Sequence, residues 1–170
     1  MRLTTYTDFS LRVLIYVAVK PDPLPTIQQI SASYGISKNH LMKVVHELGL
    51  AGYLRTTQGK GGGISLARPA QSIVLGELVR LTEPDMALMP CFAPVATACA
   101  IFPACKLKVA VQAARDAFLA VLDGYTLADL VHNRSTLRGL LEVVAISESK
   151  PPAARRSKAV VPSTRARNTR

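Results

Sequence analysis

Thr26-Ile-Gln-Gln-Ile-Ser-Ala-Ser-Tyr-Gly-Ile-Ser-Lys-Asn-His-Leu-Met-Lys-Val-Val-His-Glu-Leu48 is the stretch that decides the fold. Thr26 followed three residues later by Gln29 forms a capping box, in which each side chain satisfies a backbone N–H of the other. It opens a short helix whose inner positions include Ile27 and Ile30. Tyr34-Gly35-Ile36 makes a turn, with Gly35 free to take a positive φ. Ser37 then caps a further helix, from Lys38 to about Gly49, which places Leu41, Val44, Val45 and Leu48 on one side. Helix, tight glycine turn and helix make a helix-turn-helix.

The flanking sequence extends this unit. Upstream, Asp8–Val19 has apolar side chains at Leu11, Leu14, Ile15 and Ala18, the spacing of an amphipathic helix, and Pro21, Pro23 and Pro25 end it. Downstream the period changes. Tyr53–Thr57 and Ile64–Leu66 read as two short strands joined by the glycine-rich run Gln58–Gly63. A hairpin in this place is the wing of a winged helix, and Pro69 closes the module. Beyond it, a helix is expected over Val74–Leu81, stopped before Pro84. The longest helical stretch runs over Lys106–Asp123, with Leu107, Val111, Ala114, Phe118 and Val121 in three- and four-residue steps. Such a seam can pack on its own copy or on the rest of the subunit, and periodicity does not choose. Thr126 and Asp129 cap one more short helix.

Charge follows the same division. Residues 1–66 carry seven Lys/Arg against three Asp/Glu, a net +4. Residues 67–150 balance at eight against eight, and residues 151–170 have six basic side chains and no acidic one. A basic block beside a neutral one points to a polyanion-binding module joined to something else. The tail has too few apolar residues to pack and reads as disordered, either an added contact with nucleic acid or a solubilising segment. Neither a secretory signal nor a long uncharged apolar run is present, which points to the cytoplasm and to no membrane contact.

DNA reading would fall to the outer face of the helix after Ser37. Lys38, Asn39, His40 and Lys43 lie near its N-terminal end, and Asn and Lys are side chains that reach adenine, guanine or phosphate in the major groove. Ser37 and the helix N-terminus can hold a phosphate. In the wing, Arg55, Lys60 and Gly61 are the candidate contacts, since a glycine tip lets the backbone approach DNA closely. Gly59–Gly63 lacks the Lys-Ser/Thr ending and the following helix of a nucleotide-binding P-loop. No Ser/His/Asp set or carboxylate dyad stands out, so no enzyme chemistry is expected.

The chain's three cysteines, Cys91, Cys99 and Cys105, fall within fifteen residues on a loop broken by Pro90, Pro94 and Pro103. Soft thiolates gathered in this way suit zinc or an iron–sulfur cluster, and in a reducing compartment they favour metal over disulfides. Three is one short of the usual four, so another group must complete the set.

The opening Met1–Arg12, the wing Gly59-Lys-Gly-Gly-Gly-Ile-Ser-Leu66, Pro103-Ala-Cys-Lys-Leu-Lys108 and Tyr125-Thr-Leu-Ala-Asp-Leu130 together resemble the bacterial winged-helix regulators that carry an iron–sulfur cluster, and among them the nitric oxide-sensing repressors. That resemblance covers about residues 1–145. It implies a mainly α protein: a winged helix-turn-helix DNA-binding domain over 1–69, a cysteine-bearing cluster loop and long dimerisation helix over 70–146, and a basic tail over 147–170. It also implies a homodimer on a double-stranded DNA operator. A [2Fe–2S] or [4Fe–4S] cluster would be held by Cys91, Cys99 and Cys105, with Asp8 of the partner subunit as fourth ligand, or Asp8 would act as a helix N-cap. Nitric oxide would be the signal. Two positions depart from relatives in the family: Gln58 stands where many have Arg, and the seven-residue gap between Cys91 and Cys99 is closer to that of an iron-responsive regulator. Lys108 stands where the family's cluster-biogenesis regulator has a His ligand. An iron- or cluster-supply sensor, and a zinc-stabilised nucleic-acid-binding protein, are the alternatives.

Overall fold

The computed structural model describes residues 2–92 and 99–148, with the last six of these described by backbone alone. In chain order the elements are α1 (Thr5–Val19), α2 (Ile27–Tyr34), α3 (Lys38–Leu50), β1 (Leu54–Thr57), β2 (Gly63–Leu66), α4 (Leu75–Thr82), α5 (Lys106–Asp123), α6 (Leu127–Leu130) and α7 (Arg134–Glu148), with short 3-10 turns at Ala70–Ser72, Pro90–Phe92 and Phe102–Ala104. The fold is mainly helical, a winged helix with a two-stranded antiparallel wing. The basic tail after Glu148 lies outside the described residues.

The caps read from sequence position the helix-turn-helix. Thr26 Oγ1 accepts from the Gln29 amide at 3.3 Å, and the Gln29 side chain accepts from the Thr26 amide at 2.8 Å. Gly35 ends α2 at φ 63°, where a Cβ would be strained. Ser37 Oγ accepts from the His40 amide at 3.4 Å and starts α3. Leu41, Val44, Val45 and Leu48 are buried as the periodicity required. In the wing, Leu54 pairs with Leu66 and Thr57 with Gly63. The Ile64 amide donates to Pro25 O at 2.8 Å, which anchors the hairpin beside the start of α2.

Three features differ from expectation. First, α1 begins at Thr5, because the Thr4 hydroxyl accepts from the Thr7 amide at 3.2 Å. Thr4 is therefore the N-cap, and Asp8 is not. Asp8 sits one turn inside, its amide bonded to Thr4 O at 3.1 Å. Second, α1 is buried nearly all round, with Val13, Tyr16, Val17 and Val19 inside as well as Leu14 and Ala18. Third, Val74 leaves α4 to form an antiparallel bridge with Thr126, backed by Leu75 N to Tyr125 O at 2.9 Å and Leu127 N to Ile73 O at 2.8 Å.

Helix α7 has no counterpart in the expectations from sequence. It packs on α2, where Ser33 Oγ donates to Leu141 O at 3.1 Å, while the Arg134 guanidinium donates to Ala18 O. Lys20 reaches Glu142 at 3.4 Å and, with Arg138, holds the Glu142 carboxyl below its ordinary pKa. A single core therefore runs from Val13 through Leu41, Ile73 and Leu127 to Leu141.

Helix α5 packs on α4 but buries little: Leu119 is its one buried residue. Leu107 and Val121 of the seam are 58% and 62% exposed, and Val111 and Phe118 are half-buried. The other described residues therefore leave the seam largely uncovered.

Candidate nucleic-acid interface and cluster-binding segment

Inward Leu41, Val44, Val45 and Leu48 turn the other face of α3 to solvent. Ser37, Lys38, Asn39, His40 and Lys43 are all exposed there. The Phe9 ring of α1 lies 6.0 Å from that of His40 and lines a hollow with Thr5, Tyr6, Lys43 and Val44. On the wing, Arg55 is exposed on β1, and Lys60 and Gly61 are exposed at the tip, where Gly61 takes φ 81°.

Arg12, Lys20, Arg80, Arg115 and Arg138 each lie in an ion pair with a carboxylate. Among the described residues, Lys38, Lys43, Arg55 and Lys60 have no ion-pair, hydrogen-bond or ring partner for their charge. Arg2 and Lys106 also lack such a partner, but α3 and the wing gather four of these uncompensated cations, the pattern that a polyanion requires.

The cysteine segment lies between α4 and α5. Cys91 is half-buried in the turn Pro90–Phe92, and Cys99 is exposed, with its carbonyl accepting from the Phe102 amide at 3.0 Å. Cys105 is the N-cap of α5, its Sγ accepting from the Lys108 amide at 3.4 Å. The Lys108 ammonium sits 3.8 Å from the centre of the Phe102 ring. All three thiols are free. Among the described residues of one chain, no three His, Cys, Asp or Glu side chains gather into a metal cage. The donor set nevertheless suits an iron–sulfur cluster in kind: three accessible sulfurs on turns, one already directed by a helix start.

Asp8 is half-exposed on the first turn of α1 and accepts from Arg12 Nε at 2.9 Å. The Arg12 guanidinium also lies 5.7 Å from the centre of the Tyr34 ring. Burial pushes the Tyr34 hydroxyl up to about 12, against the lowering effect of Arg12, so it stays neutral at physiological pH. Asp8 is thereby linked through Arg12 to the turn that leads into α3.

A polar cluster without any sequence motif joins the two regions. Glu83 Oε1 accepts from the Thr4 amide at 2.8 Å, the Thr4 hydroxyl at 3.1 Å and the Thr7 hydroxyl at 2.5 Å. Thr7 Oγ1 also lies 2.9 Å from Thr82 Oγ1, and the Thr82 hydroxyl donates to Leu78 O at 2.9 Å. Four residues from opposite ends of the winged-helix region meet here. Their 75- to 79-residue separations in sequence hid them.

Comparison with known proteins agrees with this geometry. The family model described as Rrf2, iron-dependent transcriptional regulator, matches residues 3–133. The chain is 49% identical over 144 residues to the HTH-type transcriptional regulator NsrR of Bacillus subtilis (strain 168), covering 84% of this chain and 99% of the relative. It is 46% identical over 143 residues to the protein of the same name from Geobacillus kaustophilus (strain HTA426), covering 84% and 97%. Among solved structures, the oxidized form of Staphylococcus aureus CymR superposes with a TM-score of 0.61 at 27% identity, over 76% of this chain and 95% of that one. T. potens IscR shares the fold at a TM-score of 0.61 and 21% identity, over 78% and 88%. The NsrR relatives are transcriptional regulators and not enzymes, in keeping with the charged reading face. With a winged helix ahead of a three-thiol segment and a family match over most of its length, this chain belongs to the Rrf2 family of iron-dependent transcriptional regulators.

Proposed function

We propose that this regulator is a cytoplasmic homodimeric repressor. It would hold double-stranded operator DNA and release it in response to nitric oxide, derepressing nitric oxide detoxification or denitrification genes. The observation that carries this reading is the near-full-length similarity to the NsrR proteins, in a chain whose three clustered thiols are all free.

Ser37, Lys38, Asn39, His40 and Lys43 read the major groove, while Arg55, Lys60 and the Gly61 backbone meet phosphates beside it. The uncovered seam of α5 supplies the surface for a second copy, which sets the spacing of two reading heads on two half-sites. Cys91, Cys99 and Cys105 would hold an iron–sulfur cluster, [2Fe–2S] or [4Fe–4S], with Asp8 of the partner subunit as the fourth donor. When bound, such a cluster supplies iron open to attack by nitric oxide, and a carboxylate is the weakest of the four donors to it. Asp8 lies on α1, which packs directly on α3. Freeing or engaging that carboxylate therefore acts on the helix that supports the recognition helix.

The test is purification without oxygen, iron and sulfide analysis per subunit, and operator binding before and after nitric oxide. A brown protein that loses DNA on nitric oxide supports the proposal. A colourless zinc-loaded protein supports a structural metal site instead. The seven-residue gap between Cys91 and Cys99 favours a second reading, response to iron or cluster supply; release by an iron chelator without release by nitric oxide would select it.

A further inference from the structure

The polar cluster at the start of α1 sits between the two regions that the proposed regulation must connect. Arg2, Leu3 and Thr4 form a wall shared by two surface hollows. One, of about 420 Å³, is lined on its far side by Asp8, Leu11 and Arg12. The other, of about 430 Å³, is lined by Glu83–Leu88, the stretch that runs into Cys91. Both bonds from Thr4 to the cysteine side end on one atom, Glu83 Oε1, which Thr7 also reaches, while a Thr7–Thr82 hydroxyl contact lies beside them. Thr7 is fully buried and Thr82 nearly so, so water cannot readily replace their contacts. The same α1 then contacts α3 through Phe9 against His40.

Resting on the proposed function, we infer that Glu83 is a positioning residue that makes the cysteine segment and the first turn of α1 move as one body, so that the state of the cysteines reaches the recognition helix. A displacement of residues 84–91 pulls on Glu83, and three converging hydrogen bonds pass it to Thr4 and Thr7. Asp8 is the next residue, and α3 lies beneath. Without the carboxylate oxygen the two segments still lie side by side, but of the polar contacts only the Thr7–Thr82 hydroxyl pair is left to fix their register. Coupling of this kind requires a discrete connection whose two ends are each biased by one site.

The experiment compares DNA affinity of the cluster-loaded and cluster-stripped forms, using a duplex enriched from a random-sequence pool by the parent protein. The parent is expected to show an affinity ratio within the ~5- to 150-fold typical of coupled sites. Glu83→Ala should bind the same iron and sulfide yet bring the ratio close to unity. Glu83→Gln keeps an Oε1 acceptor and should restore most of it. Thr7→Val removes the hydroxyl at nearly constant volume, and it should also collapse the ratio even if Glu83→Ala does not fold. Hydrogen exchange at the Thr7 and Asp8 amides of the stripped protein should quicken in both disrupting variants. Variants that lose stability but keep the parent's ratio would overturn the inference while leaving the proposed function intact. A parent whose DNA affinity ignores cluster removal would overturn both.

Discussion

Arg12 Nε donates to Asp8 Oδ1 at 2.9 Å across one turn of α1, so the carboxylate proposed as a ligand for the other subunit's cluster already has a partner in its own chain. Ligation and this ion pair compete for the same oxygens. An exposed i,i+4 pair of this kind is worth only ~0.3–0.5 kcal/mol, a small barrier to exchange. Arg12→Ala should remove the competitor and slow loss of the cluster to a chelator roughly twofold, followed as decay of visible absorbance. Asp8→Ala should still assemble a cluster while losing its control of DNA affinity; regulation unchanged in that variant would take Asp8 out of the mechanism.

The unpaired cations of the reading face give a second prediction. Asn39→Ala, at a base-reading position, should cost ~1–3 kcal/mol and relax specificity at one base pair. Lys60→Ala at the wing tip should weaken all sequences alike and lower the slope of log K against log salt by about one. Fluorescence anisotropy over a salt series checks both, and equal effects on matched and scrambled duplexes from Asn39→Ala would remove it from base readout.

Caps set the geometry of the helix-turn-helix. Ser37→Ala removes the acceptor for the His40 amide and should cost ~1 kcal/mol, whereas Ser37→Gly should cost only a few tenths. Gly35→Ala places a Cβ at φ 63° and should be destabilising by about 1 kcal/mol. Urea midpoints with unchanged m-values would confirm that only stability has moved.

Arg80 meets Asp123 through two hydrogen bonds of 2.6 and 2.7 Å, tying α4 to α5. The hydrogen bond from Arg80 holds the Asp123 carboxyl below its ordinary value of 3.8. A folded-state pKa depressed below the unfolded one adds stability that is complete above the unfolded value and disappears as pH falls through the folded one. The parent and Asp123→Asn should therefore differ near neutral pH and converge below 3.8 in acid-unfolding curves. Gly76→Ala should disturb the same joint, because its Cβ would fall 1.9 Å from Asp123 Oδ1.

Deletion of residues 149–170, which include six basic side chains after residue 150 and no acidic one, tests the tail as an electrostatic contact. A contact with the DNA backbone predicts a shallower salt slope by ~0.9 for each phosphate lost, with sequence preference unchanged. An identical slope would make the segment solubilising only.

The helix-turn-helix was legible because its signals are local. Thr26 with Gln29, Gly35, Ser37, and Thr126 with Asp129 each act within four residues, so chemistry at those positions specifies the backbone there. Asp8 misled for a related reason. An aspartate at an apparent helix start resembles a cap, yet Thr4 stands one turn earlier and its hydroxyl reaches Thr7. Helix α7 offered less: Asn133 precedes its first turn, but its apolar Leu137 and Leu141 acquire meaning only against α2.

Residue order alone determined the winged helix and the extent of Lys106–Asp123, because short-range hydrogen bonds and hydrophobic period fix those features within a turn or two of chain. Only the tertiary structure decided that Glu83 meets Thr4 and Thr7, that Arg12 reaches the Tyr34 ring, and that Ser33 bonds Leu141 O. Each of these is a meeting of groups brought together by packing of the core, and no local periodicity encodes a contact between residues nearly eighty positions apart.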